Sequence, residues 1–408
     1  MTVLYICSEY PPGKIGGIGS MTRTLARAMV NAGHTVLVAG LYLPGYGGAD
    51  FETDEGVKVW RKRLLVDVGL IRNNYSFIDT LLIKSLSASG ILQKDLVKNI
   101  TKFNEFVGTL ISQFNVDIIE WPDFNDSFQY LGTAVKWPAF NVPLVVKFNG
   151  TQSFLNYPAK SPLDSKLYSQ EKEHIDRADV LAAVSRHTAE SYQRLYDLQK
   201  PVTILYNSVE VPDVTWQPDQ SQPKIIFTGA LTERKGLISL IKAWDIVYKK
   251  HPEAVLEIFG KGKINTFLKD ASFKVKRSIH YQGFRSKQEF YTSMATASAA
   301  IFPSYTECFA FAPLEAMAAG CPVINTERCS GPELINHGIN GLLIDPGNPQ
   351  QMANSMISLV ENSTLRKKLS VNGRQTVIEH FSIDKSIQDH TQFYEQAIRQ
   401  YHKKAITI

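Results

Sequence analysis

Short apolar runs alternate with amphipathic stretches along most of the chain, and this alternation predicts the fold class. The first apolar run, residues 3–7, predicts a strand that leads into a Gly-rich loop. A helical pattern follows, starting at Ser20 or Met21 and ending near Gly33. The same order of strand, loop and helix recurs from Lys224 onward. Strands that alternate with helices build parallel sheets covered by helices, so we predict an α/β fold.

One of these strand–loop–helix units holds two carboxylates. Residues 299–302 predict a buried strand, and Pro313 predicts the start of a short helix that ends at Gly320. Glu307 lies on the loop and Glu315 in the predicted first helical turn. Taken singly, a loop Glu is usually solvated and a first-turn Glu suits the helix dipole. Together they are expected to face the crevice at the carboxyl ends of the strands, where open α/β sheets bind ligands.

Size and composition allow two domains and exclude several classes of protein. The chain has 408 residues, 44% of them hydrophobic and 20% charged, with a net charge of +5. The cationic residues are spread rather than blocked, which argues against a nucleic-acid module. The four cysteines show neither metal-ligand spacing nor a disulfide framework. No apolar run approaches the roughly 20 residues of a membrane span and no signal peptide is recognisable, so we predict a cytoplasmic protein.

A basic stretch from Lys58 to Arg72 leaves two interpretations open. Its cations alternate with apolar residues such as Val59 and Trp60. The pattern favours an exposed strand edge and helix. The alternative is an amphipathic, membrane-facing patch, which would place the protein peripherally at the inner face of the membrane.

Two loops carry the features of phosphate-binding sites. The loop after the first predicted strand contains Gly16 and Gly17, and its N–H groups and the following helix N-terminus suit an anion. Its G-G-x-G spacing differs from the dinucleotide fingerprint, and a mobile surface loop is the alternative. The second loop, residues 229–236, carries Arg234 and Lys235, for which a solvated helix cap is the alternative interpretation.

The string ECFAFAPLEAMAAGCPVI, from Glu307 to Ile324, resembles the E-x7-E signature of the retaining GT-B glycosyltransferases of family four, the glycosyl transferases of group 1. The resemblance implies a GT-B architecture, in which two doubly wound Rossmann-like domains face each other across a cleft. It also implies an acceptor-side domain over residues 1–208 and a nucleotide-sugar-binding domain over residues 209–383. The last helix, within residues 384–408, would cross back to the first domain.

The resemblance also assigns the site. The implied catalytic residues are Glu307, Lys235 and Arg234, and the implied acceptor-side residues are Asp123 and Asn149. The implied donor-binding residues also include Gly16, Gly17, Gly260, Phe284, Phe309, Ala310, Phe311 and Glu315. The sequence departs from the family at Ala230, where the family has an Arg, and at Asn149, where it has a His. It also departs at Ser208, Cys308 and Ala310, where the family has Gly.

From this resemblance we expect a retaining hexosyltransferase, of the type active in polysaccharide biosynthesis. It would move a sugar from a nucleotide-diphosphate sugar, with a UDP-sugar expected, to a hydroxyl of a glycan, a lipid-linked sugar or a small molecule. No Asp-x-Asp motif is present, so we expect neither a metal nor another cofactor. Ala230 and Asn149 support the alternative of a catalytically silent GT-B binding or regulatory subunit. A GT-B phosphorylase or epimerase is the remaining alternative.

Overall fold

The chain forms two compact units. The computed structural model describes residues 1–12, 17–42, 48–63, 89–123, 139–156, 164–219 and 221–407. Unit 1 comprises Met1–Val184, Thr188–Leu205 and Ser386–Ile408, and unit 2 comprises Ser185–His187 and Tyr206–Lys385. The domain boundaries given above from the sequence stay predictions.

Unit 1 is built on one sheet of mostly parallel strands. Its strands are β1 (Thr2–Ile6), β2 (Thr35–Tyr42), β3 (Phe51–Asp54), β4 (Val57–Arg63), β5 (Ile118–Pro122), β6 (Leu144–Phe148), β7 (Val180–Ala183) and β8 (Val202–Ile204). The order across the sheet is β3-β4-β2-β1-β5-β6-β7-β8, and only β3 runs antiparallel to its neighbour. The chain order reverses between β1 and β5, which is the topological switch point of this sheet.

Strand β4 corrects one expectation. The basic stretch was expected to form an exposed strand edge, but β4 pairs with β2 on one side and with β3 on the other. Arg61 is 1% exposed and its guanidinium donates to Glu52 at 2.6 Å. The short strand β3 covers the edge, because the two-residue turn at Glu55 and Gly56 folds it back on β4. Arg72 lies outside the described residues.

The helices of unit 1 that come before the main part of unit 2 along the chain are α1 (Gly17–Asn31), α2 (Ile91–Phe114), α3 (Gln152–Asn156), α4 (Ser165–Asp176) and α5 (Arg186–Tyr196). Helix α1 begins three residues before Ser20, the earlier of the two starts expected. Gly19, in the first turn, lies close to the Glu9 carbonyl, where a Cβ would be 2.0 Å from the oxygen. Gly17 is therefore the first residue of the helix rather than part of the loop.

Unit 2 is a six-stranded, wholly parallel sheet. Its strands are β9 (Lys224–Thr228), β10 (Val255–Phe259), β11 (Ile279–Gly283), β12 (Ala299–Phe302), β13 (Val323–Thr326) and β14 (Leu342–Ile344). The order is β11-β10-β9-β12-β13-β14. Its switch point lies between β9 and β12. The central strands β12 and β13 are buried throughout, as parallel sheets covered by helices require, whereas the edge strand β11 is largely exposed.

The helices of unit 2 are α6 (Leu237–Lys250), α7 (Phe273–Arg277), α8 (Lys287–Ala295), α9 (Phe311–Ala318), α10 (Gly331–Leu334), α11 (Pro349–Glu361) and α12 (Ser363–His380). Helix α6 shows how they pack. Leu237, Leu240, Ile241 and Trp244 recur at helical spacing on one face and are at most 6% exposed. That face covers the sheet and forms the centre of the apolar core.

The last helix, α13 (Ile383–Thr407), packs on unit 1 from Ser386 onward. Its buried face is partly polar. The Tyr394 hydroxyl donates to Glu120 Oε2 at 2.6 Å, and the His390 ring lies 3.0 Å from Lys147 Nζ. Buried polar groups need such partners, so these contacts fix how α13 lies on the sheet.

Candidate active site

The cations and the first carboxylate predicted from the sequence meet at the switch point of the unit 2 sheet. The loop after β9 carries Arg234 and Lys235, and the loop after β12 carries Glu307. Because β9 and β12 are neighbours, their carboxyl ends place both loops at one position on the sheet edge. Lys235 Nζ donates a hydrogen bond to Glu307 Oε1.

Arg234 joins this cluster from the same side. Its guanidinium donates to the Thr306 carbonyl at 2.6 Å and lies 3.6 Å from Glu307 Oε2. The side chains of Arg234, Lys235 and Glu307 are 45%, 20% and 12% exposed. A half-exposed guanidinium and an ammonium beside one carboxylate leave a net positive charge that a ligand can reach.

A glycine and a tyrosine hold the two loops together. Gly236 has φ of +74°, and a Cβ there would lie 1.9 Å from the Pro303 carbonyl oxygen. Tyr305 N–H donates to the Arg234 carbonyl, and the Tyr305 hydroxyl donates to the Pro346 carbonyl at 2.9 Å. These contacts fix the backbone on both sides of the cluster.

The neighbouring loops after β10 and β11 hold the predicted residues Gly260 and Phe284. Gly260 has φ of +141°, and a Cβ there would lie 1.8 Å from the Gly229 carbonyl oxygen. Its N–H donates to the Gly283 carbonyl at 2.8 Å. The Phe284 ring is 66% exposed, and Lys261 Nζ lies 4.9 Å from its centre. An exposed aromatic face beside a cation is a suitable surface for a planar ligand group.

Helix α9 begins earlier than expected, which moves Glu315 out of the first turn. The helix starts at Phe311 instead of Pro313, because proline is tolerated throughout the first turn, where N–H groups have no intrahelical partner. Ala310 provides no side-chain cap, so the first N–H groups remain available to a ligand. Phe309, just before them, is 7% exposed.

Glu315 lies in a different environment from Glu307. Burial raises the pKa of its carboxyl, and nearby Lys287 partly offsets that rise. The Tyr291 hydroxyl is buried, and the described part of the chain offers it no hydrogen-bond partner. Burial therefore favours the neutral form of the Glu315 carboxyl.

The predicted acceptor-side residues meet in unit 1. Asp123 follows β5 and Asn149 follows β6, and Asp123 Oδ1 accepts the Asn149 N–H at 2.9 Å. Asp123 is 1% exposed. Burial raises the pKa of Asp123 to about 6, although the hydroxyl of Tyr192 and two N–H groups oppose that rise. Gly17 follows β1, at the switch point of this sheet, and Gly16 lies outside the described residues.

Two adjacent family models match the chain. "Glycosyltransferase Family 4" matches residues 15–211 and "Glycosyl transferases group 1" matches residues 213–376, the part that holds the cluster. The chain belongs to the group 1 glycosyltransferases. An uncharacterized glycosyltransferase of Methanocaldococcus jannaschii is 23% identical, over 98% of this chain and 99% of its own.

Solved structures show that this glycosyltransferase has the predicted GT-B fold. Sucrose-phosphate synthase from Thermosynechococcus elongatus matches with a TM-score of 0.74 and 18% identity, over 98% of this chain and 99% of its own. HepE from Anabaena, solved in complex with UDP-glucose, matches with a TM-score of 0.66 and 17% identity, over 97% of this chain and 100% of its own.

The described residues of the glycosyltransferase contain no group of three His, Cys, Asp or Glu that would hold a metal ion. Within the same ranges, no helix has the length and apolarity needed to cross a bilayer. A groove of about 910 Å³ lies elsewhere in unit 2, between residues 213–218 and α12. None of its lining residues belongs to the cluster around Glu307.

Sequence reasoning missed the residues that hold the Asn149 loop. They are Glu171 on α4 and Tyr192 and Tyr196 on α5, and each of these residues is at most 3% exposed. The tyrosines are spaced i, i+4, which places both on one helix face. That spacing is a usable signal, but it does not reveal that the face meets two buried carboxylates.

Proposed function

We propose that this glycosyltransferase moves a hexosyl group from a UDP-sugar to a hydroxyl acceptor with retention of configuration and without a metal ion. The observation that carries the proposal is the convergence of Lys235 and Arg234 on Glu307 at the switch point of the unit 2 sheet. That arrangement provides positive charge and a hydroxyl-binding carboxylate side by side, which is what a sugar diphosphate requires.

Leaving-group stabilisation is the first role. Negative charge develops on the diphosphate as the sugar leaves, and a preorganised donor to such charge is worth about 3 kcal/mol. Lys235 and Arg234 supply two cationic donors, joined by the uncapped N-terminus of α9. In this proposal Arg234 provides the guanidinium that the family has at the position of Ala230. The same two cations neutralise the charge of the diphosphate, which a metal ion would otherwise do.

Sugar binding is the second role, and it requires an exchange of partners. Glu307 accepts from Lys235, so a bound donor has to give Lys235 a phosphate oxygen and give Glu307 sugar hydroxyls. Both exchanges keep Lys235 and Glu307 hydrogen-bonded. Glu307 is proposed to bind the sugar and not to act as a base, and in the retaining reaction the donor phosphate takes the acceptor proton.

The choice of UDP rests on a relative and on the exposed aromatic surface. The HepE structure contains UDP-glucose. In this chain the Phe284 ring and the Gly260 loop lie on the strands next to β9, where a base would extend from the diphosphate. Gly17, at the carboxyl end of β1, stays a predicted donor-binding residue.

The acceptor is proposed to be a glycan, a lipid-linked sugar or a small molecule, bound on the side of Asp123 and Asn149. We propose that the enzyme is cytoplasmic, and a lipid-linked acceptor would place it at the membrane surface. A lysine–aromatic face in unit 1 supports that choice: Lys62 Nζ lies 3.9 Å from the Phe106 ring, and Lys58 Nζ lies 4.7 Å from the Phe114 ring. Vesicle flotation tests the membrane contact. The enzyme should float with anionic vesicles and not with neutral ones, and the double variant Lys58→Glu/Lys62→Glu should not float with either.

Thermal shifts with UDP, GDP and ADP, with and without Mg²⁺, test the proposal. A ligand at 100 times its Kd adds about 2.7 kcal/mol of stability. UDP should stabilise the protein without Mg²⁺, and Lys235→Ala should remove the shift. Lys224→Ala is the matched control, since Lys224 pairs with Glu257 at the amino end of β9 and is 17% exposed. No shift with any nucleotide would favour the silent subunit, and a pyridoxal chromophore would favour a phosphorylase.

A further inference from the structure

One edge of the unit 2 sheet carries an unusual concentration of positive charge. Cations are spread over most of the sequence, but residues 263–277 hold five Lys and Arg residues and one Asp, a net charge of +4. The whole chain has a net charge of only +5. This segment lies between β10 and β11 in the chain, and β11 is the edge strand of the sheet. Nearly all of the net positive charge of the protein is therefore placed beside one strand.

Hydrogen bonds hold this segment along β11. Helix α7 ends two residues before the strand begins, and Lys276 Nζ on α7 donates to the Lys269 carbonyl at 3.4 Å. The Tyr281 hydroxyl on β11 donates to the Gly262 carbonyl at 3.1 Å, which places the start of the segment beside the same strand. The cations and an aromatic residue of this surface are all exposed, and together they are called the basic edge: Lys263, Lys269, Phe273, Lys274, Lys276 and Arg277.

The protein does not neutralise the cations of the basic edge. Among the described residues, none of the five forms an ion pair with a carboxylate. Just after β11 the situation differs, because Lys287 pairs with Glu210 at 2.8 Å and Arg285 lies 3.7 Å from Glu289. Like charges three or four positions apart on a helix repel each other. The charge of the basic edge therefore favours an anionic partner from outside the chain.

Two structural explanations account for only part of this surface. Cations in the last turn of a helix are stabilised by the helix dipole, which applies to α7 but not to Lys263 or Lys269. Charged residues on an edge strand prevent pairing with another chain, but β11 itself carries neither Lys nor Arg. Neither explanation requires an exposed aromatic ring at the same place.

Phe273 indicates which kind of anionic partner fits. It is 74% exposed, more than any other large hydrophobic residue of the described chain, and the Arg277 guanidinium lies 5.9 Å from its ring centre. The negative face of an aromatic ring attracts the C–H groups of a sugar ring. A membrane fits less well, because binding to lipid scales with the apolar area that is buried. Val275, the other apolar residue of α7, is 1% exposed, so this helix offers lipid a single ring.

We propose that the basic edge binds an acidic polysaccharide, a glycan with repeated carboxylate, phosphate or sulfate groups. The five cations pair with successive anionic groups, and Phe273 packs on a sugar ring between them. The whole surface belongs to unit 2, and none of its residues is part of the cluster around Glu307. Taking this glycan as the acceptor of the transfer rests on the proposed function, whereas its binding to the basic edge does not.

Dextran sulfate is the probe for the cations, with neutral dextran as the uncharged comparison. A cation next to a densely anionic surface is worth about 5-fold in affinity, so Lys274→Gln/Lys276→Gln should bind dextran sulfate about 30-fold more weakly. Lys249→Gln/Lys250→Gln is the matched control. It removes the same charge from the last turn of α6, where the lysines pair with Asp245 and Glu361 at 2.5 and 2.6 Å. Equal affinities of the two double variants, or equal binding of neutral dextran, would overturn the proposal.

Inorganic polyphosphate and vesicles distinguish a glycan from other anionic partners. Polyphosphate has no sugar ring, so Phe273→Ala should weaken binding of dextran sulfate about 5-fold and leave binding of polyphosphate unchanged. An equal effect on both polymers would show that the basic edge recognises charge alone, and the assignment to a glycan would be wrong. Lys274→Gln/Lys276→Gln should float with anionic vesicles as the unmodified enzyme does. Loss of flotation in this variant would make the membrane the partner and refute the proposal.

Binding of UDP separates this inference from the proposed function. Polymer binding is measured without nucleotide, and the double variant of α7 should bind UDP as tightly as the unmodified enzyme. If the unmodified enzyme binds dextran sulfate but not UDP, the proposed function is wrong and the basic edge stands. If it binds UDP but not dextran sulfate, the basic edge is wrong. Should the double variant of α7 not fold, Lys263→Gln/Lys269→Gln removes two cations outside that helix, and an unchanged affinity for dextran sulfate in this variant also refutes the inference.

Discussion

Replacing Glu307 by glutamine should separate nucleotide binding from sugar transfer. The carboxylate of Glu307 is the partner of Lys235 and is 3.6 Å from the Arg234 guanidinium, so it competes with a diphosphate for both cations. Glutamine keeps the shape and can accept one hydrogen bond, but it has no charge. Removal of the competitor should therefore favour UDP, while loss of the charged acceptor should weaken the hold on the sugar.

The magnitude follows from the exposure of the cluster. Two unit charges in contact attract by about 4 kcal/mol at an effective dielectric of about 20. Desolvation and ordering of the side chains, with Arg234 45% and Lys235 20% exposed, reduce the net value to about 1 kcal/mol. Glu307→Gln should then bind UDP about 5-fold more tightly. A charged hydrogen bond to the sugar is worth about 1.5–3 kcal/mol, so turnover of the UDP-sugar should fall about 10- to 100-fold.

Calorimetry with UDP and UDP release from UDP-glucose measure the two effects. Lys235→Ala should lose both affinity and turnover, because the proposed role of Lys235 is to contact the diphosphate before and during transfer. Glu257→Gln is the control: its side chain is 15% exposed and pairs with Lys224 at 3.8 Å, within the same sheet. A Glu307→Gln variant that binds UDP as weakly as Lys235→Ala would show that Glu307 holds the nucleotide, and the division of roles would be wrong.

Two further predictions concern stability. Gly236→Ala should destabilise unit 2 by well over the roughly 1–2 kcal/mol that a positive φ costs, because its Cβ would lie 1.9 Å from the Pro303 carbonyl oxygen. Gly283→Ala should cost only that backbone strain, because a Cβ there would have no atom within 4 Å. Equal losses of unfolding free energy in urea titrations of the two variants would contradict this prediction. Burial next to Lys147 lowers the pKa of His390 well below its usual value, so the unfolded chain gains a proton below about pH 6.5 that the folded chain does not. This group should therefore lower the free energy of unfolding by up to about 1.4 kcal/mol for each pH unit below that value. In His390→Gln the urea midpoint of unfolding should depend less on pH between pH 7.5 and 5.5.

Several elements could be read from the chain because their determinants are local. Four apolar residues before Pro303 predict β12, and the structure has the strand at Ala299–Phe302 as expected. The loops around Lys235 and Glu307 follow strands of one parallel sheet, so topology alone brings them to the same edge. The first turn of α9 was placed two residues too late, since proline fits at more than one position of a first turn.

Other features depend on partners that are distant in the chain. Whether Arg234 faces Glu307 depends on the Thr306 carbonyl, 72 residues away. Strand β4 was expected at the edge because its alternating cations suit a half-exposed surface, and only pairing with β3 places it inside the sheet. Arg61 is buried there because the carboxylate of Glu52 accompanies it.

The sequence by itself determined the family and the parallel α/β architecture. It also determined which charged residues lie at the carboxyl end of the unit 2 strands. Periodicity, glycine spacing and the E-x7-E string are local properties, so they can be read directly from the sequence. Tertiary structure alone decided what surrounds each group. Five consecutive N–H groups after β6, from residue 149 to residue 153, donate to the side chains of Asp123, Tyr192 and Glu171. Those side chains come from three other elements, so they reach the turn only when the sheet and the helices have packed.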